Sequence, residues 1–208
     1  MGVVMFKATI SITSWKARIN SVGLTIYSLL KNCPDFHIVL VLSKAEFPNT
    51  LDELPKDLVT LHQSRSIEIL WTMDNPRELK KLETFKSYPN IPSIFVDDDL
   101  YYTQNFAEEL YQIWLTHKEQ PISWIKLPFI YGCCMACTLF PPSIFEPVLT
   151  ARIQHPKLHD DALFPLVFQS LKIPVIGLHT KFPGFFHDES SPMNGSTNMP
   201  GWTTMQTF

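Results

Sequence analysis

No apolar run in this sequence reaches the roughly 20 residues that a membrane-spanning helix needs, so none is expected. The opening stretch, MGVVMFKATISITSW, has no basic region ahead of its apolar residues, so no secretory signal is expected either, and a cytoplasmic location follows. MGVVMF lacks the Ser or Thr at the sixth position that favours myristoylation. Excess positive charge is also missing. Lys and Arg number 17 against 20 Asp and Glu, a net charge of −3, whereas a general nucleic-acid binder carries a basic patch or stripe. Cysteine is scarce, and three of the four (Cys133, Cys134 and Cys137, with Cys33 apart) fall in CCMAC without the second pair that a zinc site wants. They read as small buried residues on a strand.

What is present is one core's worth of chain. The 208 residues are ample for a single domain and marginal for two, and 17 prolines predict long, stiffened loops. FKATISITSW reads as a buried strand. Ser21 or Asn20 is placed to cap a helix with Val22, Ile26, Leu29 and Leu30 on one face. FHIVLVLS is a continuous apolar strand of the kind covered on both faces, and SIEILW and PSIFVD follow as strands. TQNFAEELYQIWLTH predicts a helix capped by Thr103, with Phe106, Leu110, Ile113 and Trp114 inward. CMACTLF predicts a strand, DDALFPLVFQSLK a helix with Pro165 in its first turn or kinking it, and IPVIGL a last strand. The alternation predicts an α/β/α sandwich around a mostly parallel sheet. From His179 on, Pro, Gly, Ser, Asn and aromatics predict a loop or tail.

The chemistry concentrates in SIFVDDDLYY. A hydrophobic strand stops at Asp97, Asp98 and Asp99, and burying three like charges costs several kcal/mol each unless something cationic repays it. Open α/β sheets bind ligands beyond the carboxyl ends of their strands. If the segment stays extended, Asp97 and Asp99 point one way and Asp98 the other. Two such carboxylates suit Mg2+ or Mn2+, hard cations that also bridge to phosphate oxygens.

Several stretches in order (SITSWKARINSVGLTIYSLL, IVLVLSKAEFP, MDNPRELKKL, YPNIPSIFVDDDLYY, TLFPPSIF and HDDALFPLVFQSL) resemble small bacterial glycosyltransferases of the GT-A fold, similar to family 2. The resemblance runs from about residue 5 to about residue 180. It implies a catalytic domain over residues 1–180 and a tail, 181–208, that serves as a possible lid over the donor. It implies a nucleotide-sugar donor, UDP-linked by family habit, and an inverting transfer. The acceptor it implies is a glycan or lipid-linked, which would bring the enzyme peripherally to the inner membrane face. Asp99 then binds the metal with Asp97 sharing metal and ribose, Asp98 orients, and His187 or His179 supplies a third ligand. Thr13, Ser14, Arg18, Asp74 and Lys81 (with Lys80 as the alternative) match positions around the nucleotide. Asp161, with Asp160 as runner-up, matches the base that deprotonates the acceptor. An Asp opening that helix is equally suited to capping it.

Overall fold

The computed structural model describes residues 6–186 except Gln104 and Cys134. Strands β1 (Thr9–Thr13), β2 (His37–Ser43), β3 (Glu68–Thr72) and β4 (Ser93–Val96) arise where the sequence places apolar, β-branched runs. Further strands are β5 (Leu100–Tyr102), β6 (Ile122–Ile125), β7 (Cys137–Phe140), β8 (Ile176–His179) and β9 (Gly184–Phe186). Seven of them form one sheet in the order β3-β2-β1-β4-β7-β6-β8. β7 is antiparallel to both its neighbours, and every other pairing in this sheet is parallel. The reversed β7 leaves β1, β2, β3, β4, β6 and β8 all ending on one edge.

Helices cover both faces. On one side lie α1 (Val22–Asn32), α2 (Lys56–Gln63) and α4 (Phe106–Thr116), whose Val22, Ile26, Leu29, Leu58, Phe106 and Leu110 are buried with Ile94 and Val96 of β4. On the other lie α3 (Leu82–Ser87), α5 (Phe145–Gln154) and α6 (Asp160–Leu171), sharing a core with Phe95 and Phe140. Side chains alternate faces along a strand, so the neighbouring residues Ile94, Phe95 and Val96 serve two cores. The second core is aromatic: Phe140 sits 5.0 Å from Phe95 and 4.6 Å from Phe164, centroid to centroid, with Phe85 and Phe168 close by.

Several local expectations change. Ser21 is the residue before α1, but its hydroxyl donates to the Arg18 carbonyl instead of capping. Asn105, in the left-handed region at φ 68°, precedes α4, and Thr103 instead donates to the Pro183 carbonyl. Pro165 lies in the second turn of α6, past the first turn where it costs nothing. Lacking an N–H, it leaves the Asp161 carbonyl without its usual helical partner. Of the cysteines, only Cys137 is on a described strand. Cys133 lies in the loop before it, Cys33 ends α1, all three are buried, and Cys134 lies outside the described residues.

Beyond His179 the chain is not wholly loop. Gly184–Phe186 forms β9, antiparallel to β5, with Phe186 opposite Leu100 and Gly184 opposite Tyr102. The approach is tight because position 184 has no side chain: a Cβ there would sit 2.0 Å from the Tyr101 carbonyl oxygen. Gly184→Ala therefore forces the two strands apart. The expected outcome is a loss of about 1–3 kcal/mol in chemical denaturation, the range for overpacking. Hydrogen exchange should also quicken at the Thr103 amide, which donates to the Pro183 carbonyl at 2.7 Å.

Candidate active site

β4 is buried along its whole length and delivers Asp97 to the common sheet edge, after which Asp98 and Asp99 form a turn into β5. The turn breaks the extended alternation, so the three acids do not sort as two against one. Arg18 Nη1 lies 2.6 Å from Asp98 Oδ1 and 3.1 Å from Asp99 Oδ2, and all three side chains are less than a tenth exposed. Ser14 Oγ donates to the other Asp98 oxygen at 2.6 Å, and Thr25 Oγ1 donates to the Asp98 carbonyl at 2.9 Å. The strand register explains this meeting. Ile12 pairs with Val96, so the residues leaving β1 run beside those leaving β4. Breaking a buried pair of this kind costs about 3–5 kcal/mol.

Asp97 turns elsewhere. Its Oδ1 accepts from Lys81 Nζ at 2.9 Å, while its side chain stays 44% exposed. Its backbone N–H donates to the Tyr102 hydroxyl, which in turn donates to the Ala136 carbonyl at 2.8 Å. Tyr102 thus ties the acidic turn to the loop leading into β7. Lys80 Nζ donates to the Ser14 carbonyl at 2.9 Å and to Glu46 at 2.8 Å, which fixes the segment after β1.

The second acid pair opens α6. The capping position is held by His159, whose Nδ1 is 2.7 Å from Glu78, so neither aspartate is the cap. Asp160 is buried, and its Oδ1 accepts from the Asp161 amide at 2.9 Å. Burial first, then the charge of Asp161, push the Asp160 carboxyl well above the usual carboxylate range. Asp161 keeps an exposed edge, yet its carboxyl is hemmed by protein, and that lost hydration together with the charge of Asp97 raises it too. An effect of Asp97 on Asp161 means that the acids after β4 and those on α6 share one electrostatic site.

Asp99 is the residue most ready for a cation. Its Oδ1 is buried with no hydrogen-bond partner among the described residues. Burial and the neighbouring Asp97 hold the carboxyl up at about 6, against the opposing pull of Arg18. An orphaned buried carboxylate oxygen beside a half-exposed second carboxylate fits a hard divalent ion that takes its other oxygens from phosphate and water. No group of three His, Cys, Asp or Glu among the described residues is arranged as a complete metal site.

The remaining expected site residues are placed apart from this cluster. Thr13 Oγ1 donates to the Val41 carbonyl, and Asp74 lies on the exposed loop after β3. His179 ends β8, three strands from β4 or about 14 Å. Its Nε2 is 2.7 Å from Glu109, and its ring packs on Trp124 at 4.3 Å. His187 lies outside the described residues. Tyr102 and Glu78 join the site without having been legible, since their partners lie 34 and 81 residues away. The loop after β6 and the start of β8 line a mostly apolar cavity of about 320 Å³, walled by Lys126, Leu127, Phe129, Ile130, Val175 and Gly177.

No protein-family model matches this sequence, and no curated protein matches it. Solved structures do share its fold. A mannosyltransferase from Pyrobaculum calidifontis, PcManGT in complex with GDP-Man and Mn2+, aligns at TM-score 0.58 and 10% identity over 83% of this chain. The fragment 1–349 of S. aureus TarS aligns at TM-score 0.57 and 12% identity over 85%. A cytidylyltransferase from Leptospira borgpetersenii serovar Hardjo-bovis aligns at TM-score 0.55 and 12% identity over 88% of this chain and 79% of its own. This chain spans only 54% of PcManGT and 59% of TarS. The shared architecture is a GT-A-like α/β fold with a mostly parallel central sheet.

The raised acids give a signed pH dependence. A carboxyl whose folded value lies above its unfolded value binds more protons when folded, so stability is greatest below the ordinary carboxylate value and is lost as pH rises through the folded one. For Asp99 that interval ends at about 6, and for Asp160 the loss continues above it. In chelator, the melting temperature is expected to fall between pH 4 and neutrality (about 4 being the ordinary value). Asp160→Asn should flatten the upper part of that fall, and an unchanged slope would refute the assignment.

Proposed function

We propose that this chain is a metal-dependent glycosyltransferase of the hexosyltransferase kind. It moves a sugar from a nucleotide-diphosphate donor, UDP-linked in our reading, to a glycan or lipid-linked acceptor with inversion. One observation carries the reading: a buried, cation-ready Asp99 follows β4 next to Asp97, whose charge acts on a second acid pair, on α6, with raised carboxyls. Glycosyl transfer requires both functions at once, a positive charge on the leaving diphosphate and a base at the acceptor. That PcManGT is described with GDP-Man and Mn2+ agrees with it.

Asp99 and Asp97 would hold the divalent ion, Mn2+ or Mg2+, and that ion when bound supplies Lewis-acid stabilisation to the departing diphosphate. His187, which lies outside the described residues, is the favoured third ligand, with His179 as the alternative. The acceptor hydroxyl oxygen forms a bond to the anomeric carbon, the bond from that carbon to the diphosphate oxygen breaks, and Asp161 takes the hydroxyl proton. A carboxyl raised by burial is a stronger base than a free one, which is why Asp161, open to the cleft, is assigned this task and Asp160, enclosed, is not. Ser14 donates to Asp98, and Arg18 pairs with Asp98 and Asp99, so they act by fixing the acidic turn next to the nucleotide. Thr13 and Asp74 border the nucleotide side at the ends of β1 and β3.

The likeness to a cytidylyltransferase, which spans 79% of that chain's own length, favours a second reading as a nucleotidyltransferase. Products separate the two: a glycosyltransferase releases a nucleoside diphosphate, and a nucleotidyltransferase releases pyrophosphate. Thermal-shift measurements with UDP, GDP, CMP and TDP, with and without Mn2+, are expected to show metal-linked stabilisation by one of them, lost in Asp99→Asn. Asp161→Asn should keep donor binding and lose about 10²–10⁴-fold in transfer, the usual contribution of a general base. Stabilisation by no nucleotide would overturn the proposal, and normal transfer by Asp161→Asn would overturn the base.

A further inference from the structure

We propose that the Tyr102 hydroxyl is a wedge in the sheet, a positioning group that stops the β4–β7 ladder one rung short of the acids and fixes the peptide from which Asp97 projects. This rests on the reading of Asp97 and Asp99 as a metal site. β4 and β7 pair antiparallel from Ser93 opposite Phe140 to Val96 opposite Cys137, and the register ends there. The next residues in that register are Asp97 and Ala136, and a hydroxyl stands between them. The Asp97 N–H donates to the Tyr102 hydroxyl at 2.9 Å, and that hydroxyl donates to the Ala136 carbonyl at 2.8 Å. A hydroxyl can replace a rung because it accepts and donates at once. Both backbone groups are satisfied, yet the strands stay parted.

The wedge is held from outside the ladder. Tyr102 ends β5, is fully buried, and stacks on Phe106 of α4 at 4.7 Å. Its N–H donates to Ser28 Oγ at 3.0 Å, and its carbonyl accepts from Asn32 Nδ2 at 2.8 Å, both on α1. Gly184 of β9 lies opposite it. With ring and backbone pinned to two helices, the hydroxyl cannot follow β7. Asp97 therefore takes its place from α1 and α4, not from the strand beside it. A direct rung would draw Asp97 toward β7, and with it the turn in which Arg18 reaches Asp98 and Asp99. Held by the wedge, Asp97 leaves the sheet with 44% of its side chain exposed and one oxygen on Lys81.

Tyr102→Phe removes the hydroxyl and keeps the ring. Tyr88→Phe is the control, for it removes a hydroxyl bonded to Glu68 where β3 begins. Uptake of Mn2+ alone is followed by calorimetry, and amide hydrogen exchange is followed without metal. Tyr102→Phe is expected to melt about 2–8 °C lower. It is expected to bind Mn2+ about 10–100-fold more weakly, the range for losing a group that orients a metal ligand. Tyr88→Phe should lose stability and keep its Mn2+ affinity, as a merely structural hydroxyl would. Unchanged Mn2+ affinity in Tyr102→Phe, equal weakening in Tyr88→Phe, or a Tyr102→Phe chain that does not fold overturns the proposal. If the unaltered chain takes up no Mn2+, the metal reading has failed and exchange decides the wedge. Quickening of about tenfold or more, confined to the amides of Asp97 and the acids after it, then supports it. No quickening, or quickening throughout β4, overturns it.

Discussion

One buried guanidinium sets the terms of this site. Three consecutive acids at the end of a hydrophobic strand repel each other, and the turn that follows would open toward water if nothing opposed it. Arg18 opposes it by reaching Asp98 and Asp99 together, and Ser14 takes the remaining oxygen of Asp98. Asp98 is thereby fully used. Asp99 is used on one oxygen only, and its other oxygen is buried and unpartnered among the described residues. The arrangement spends one acid on structure so that its neighbour can be held dehydrated and negatively charged. A dehydrated carboxylate binds a hard cation better than a hydrated one, because there is less water to displace.

The sheet makes this economical. With β7 the one strand reversed, the exits of β1, β3, β4, β6 and β8 lie along a single edge. Residues separated by eighty positions become neighbours there: Arg18 and Asp98, Glu78 and His159. The two cores then fix the helices that carry the remaining groups. α1 brings Thr25 to the Asp98 carbonyl, and the aromatic core on the opposite face brings α6 up against the turn that carries Lys81.

Much of this was legible in the sequence, and the limits have physical causes. IFVDDD announced a strand end with a charge problem, and HDDALF announced a helix opened by acids. Both stand at the site. Which acid faces which partner was not legible. The expectation that Asp97 and Asp99 share a side assumed an extended backbone, and the chain turns at Asp98. Ser14 and Arg18 read as nucleotide contacts, whereas their donors are directed at Asp98, a choice made by strand register and invisible along the chain. β5 and β9 were missed because three-residue strands carry no usable periodicity, and their pairing depends on a glycine at position 184 that composition read as loop. His179 looked free as a ligand. Its capture by Glu109 and Trp124 comes from helix α4 packing on the far strands, which a histidine in sequence does not disclose.

The two acids of α6 show how a helix separates roles that sequence leaves equivalent. Adjacent helical residues point about 100° apart, so Asp160 and Asp161 cannot share one environment. Asp160 turns inward, is enclosed, and accepts the amide of its neighbour, while Asp161 keeps an edge toward solvent. The inward acid meets the field of Lys81, and the outward one meets that of Asp97. A group that exchanges a proton with a substrate has to reach it, which is why the proposed base is the second and not the first. Pro165 adds a local consequence, for it releases the Asp161 carbonyl from the helix at the one residue that faces outward with an acid. Two identical side chains, next to each other in sequence, are thus given an enclosed and an open environment by their direction alone.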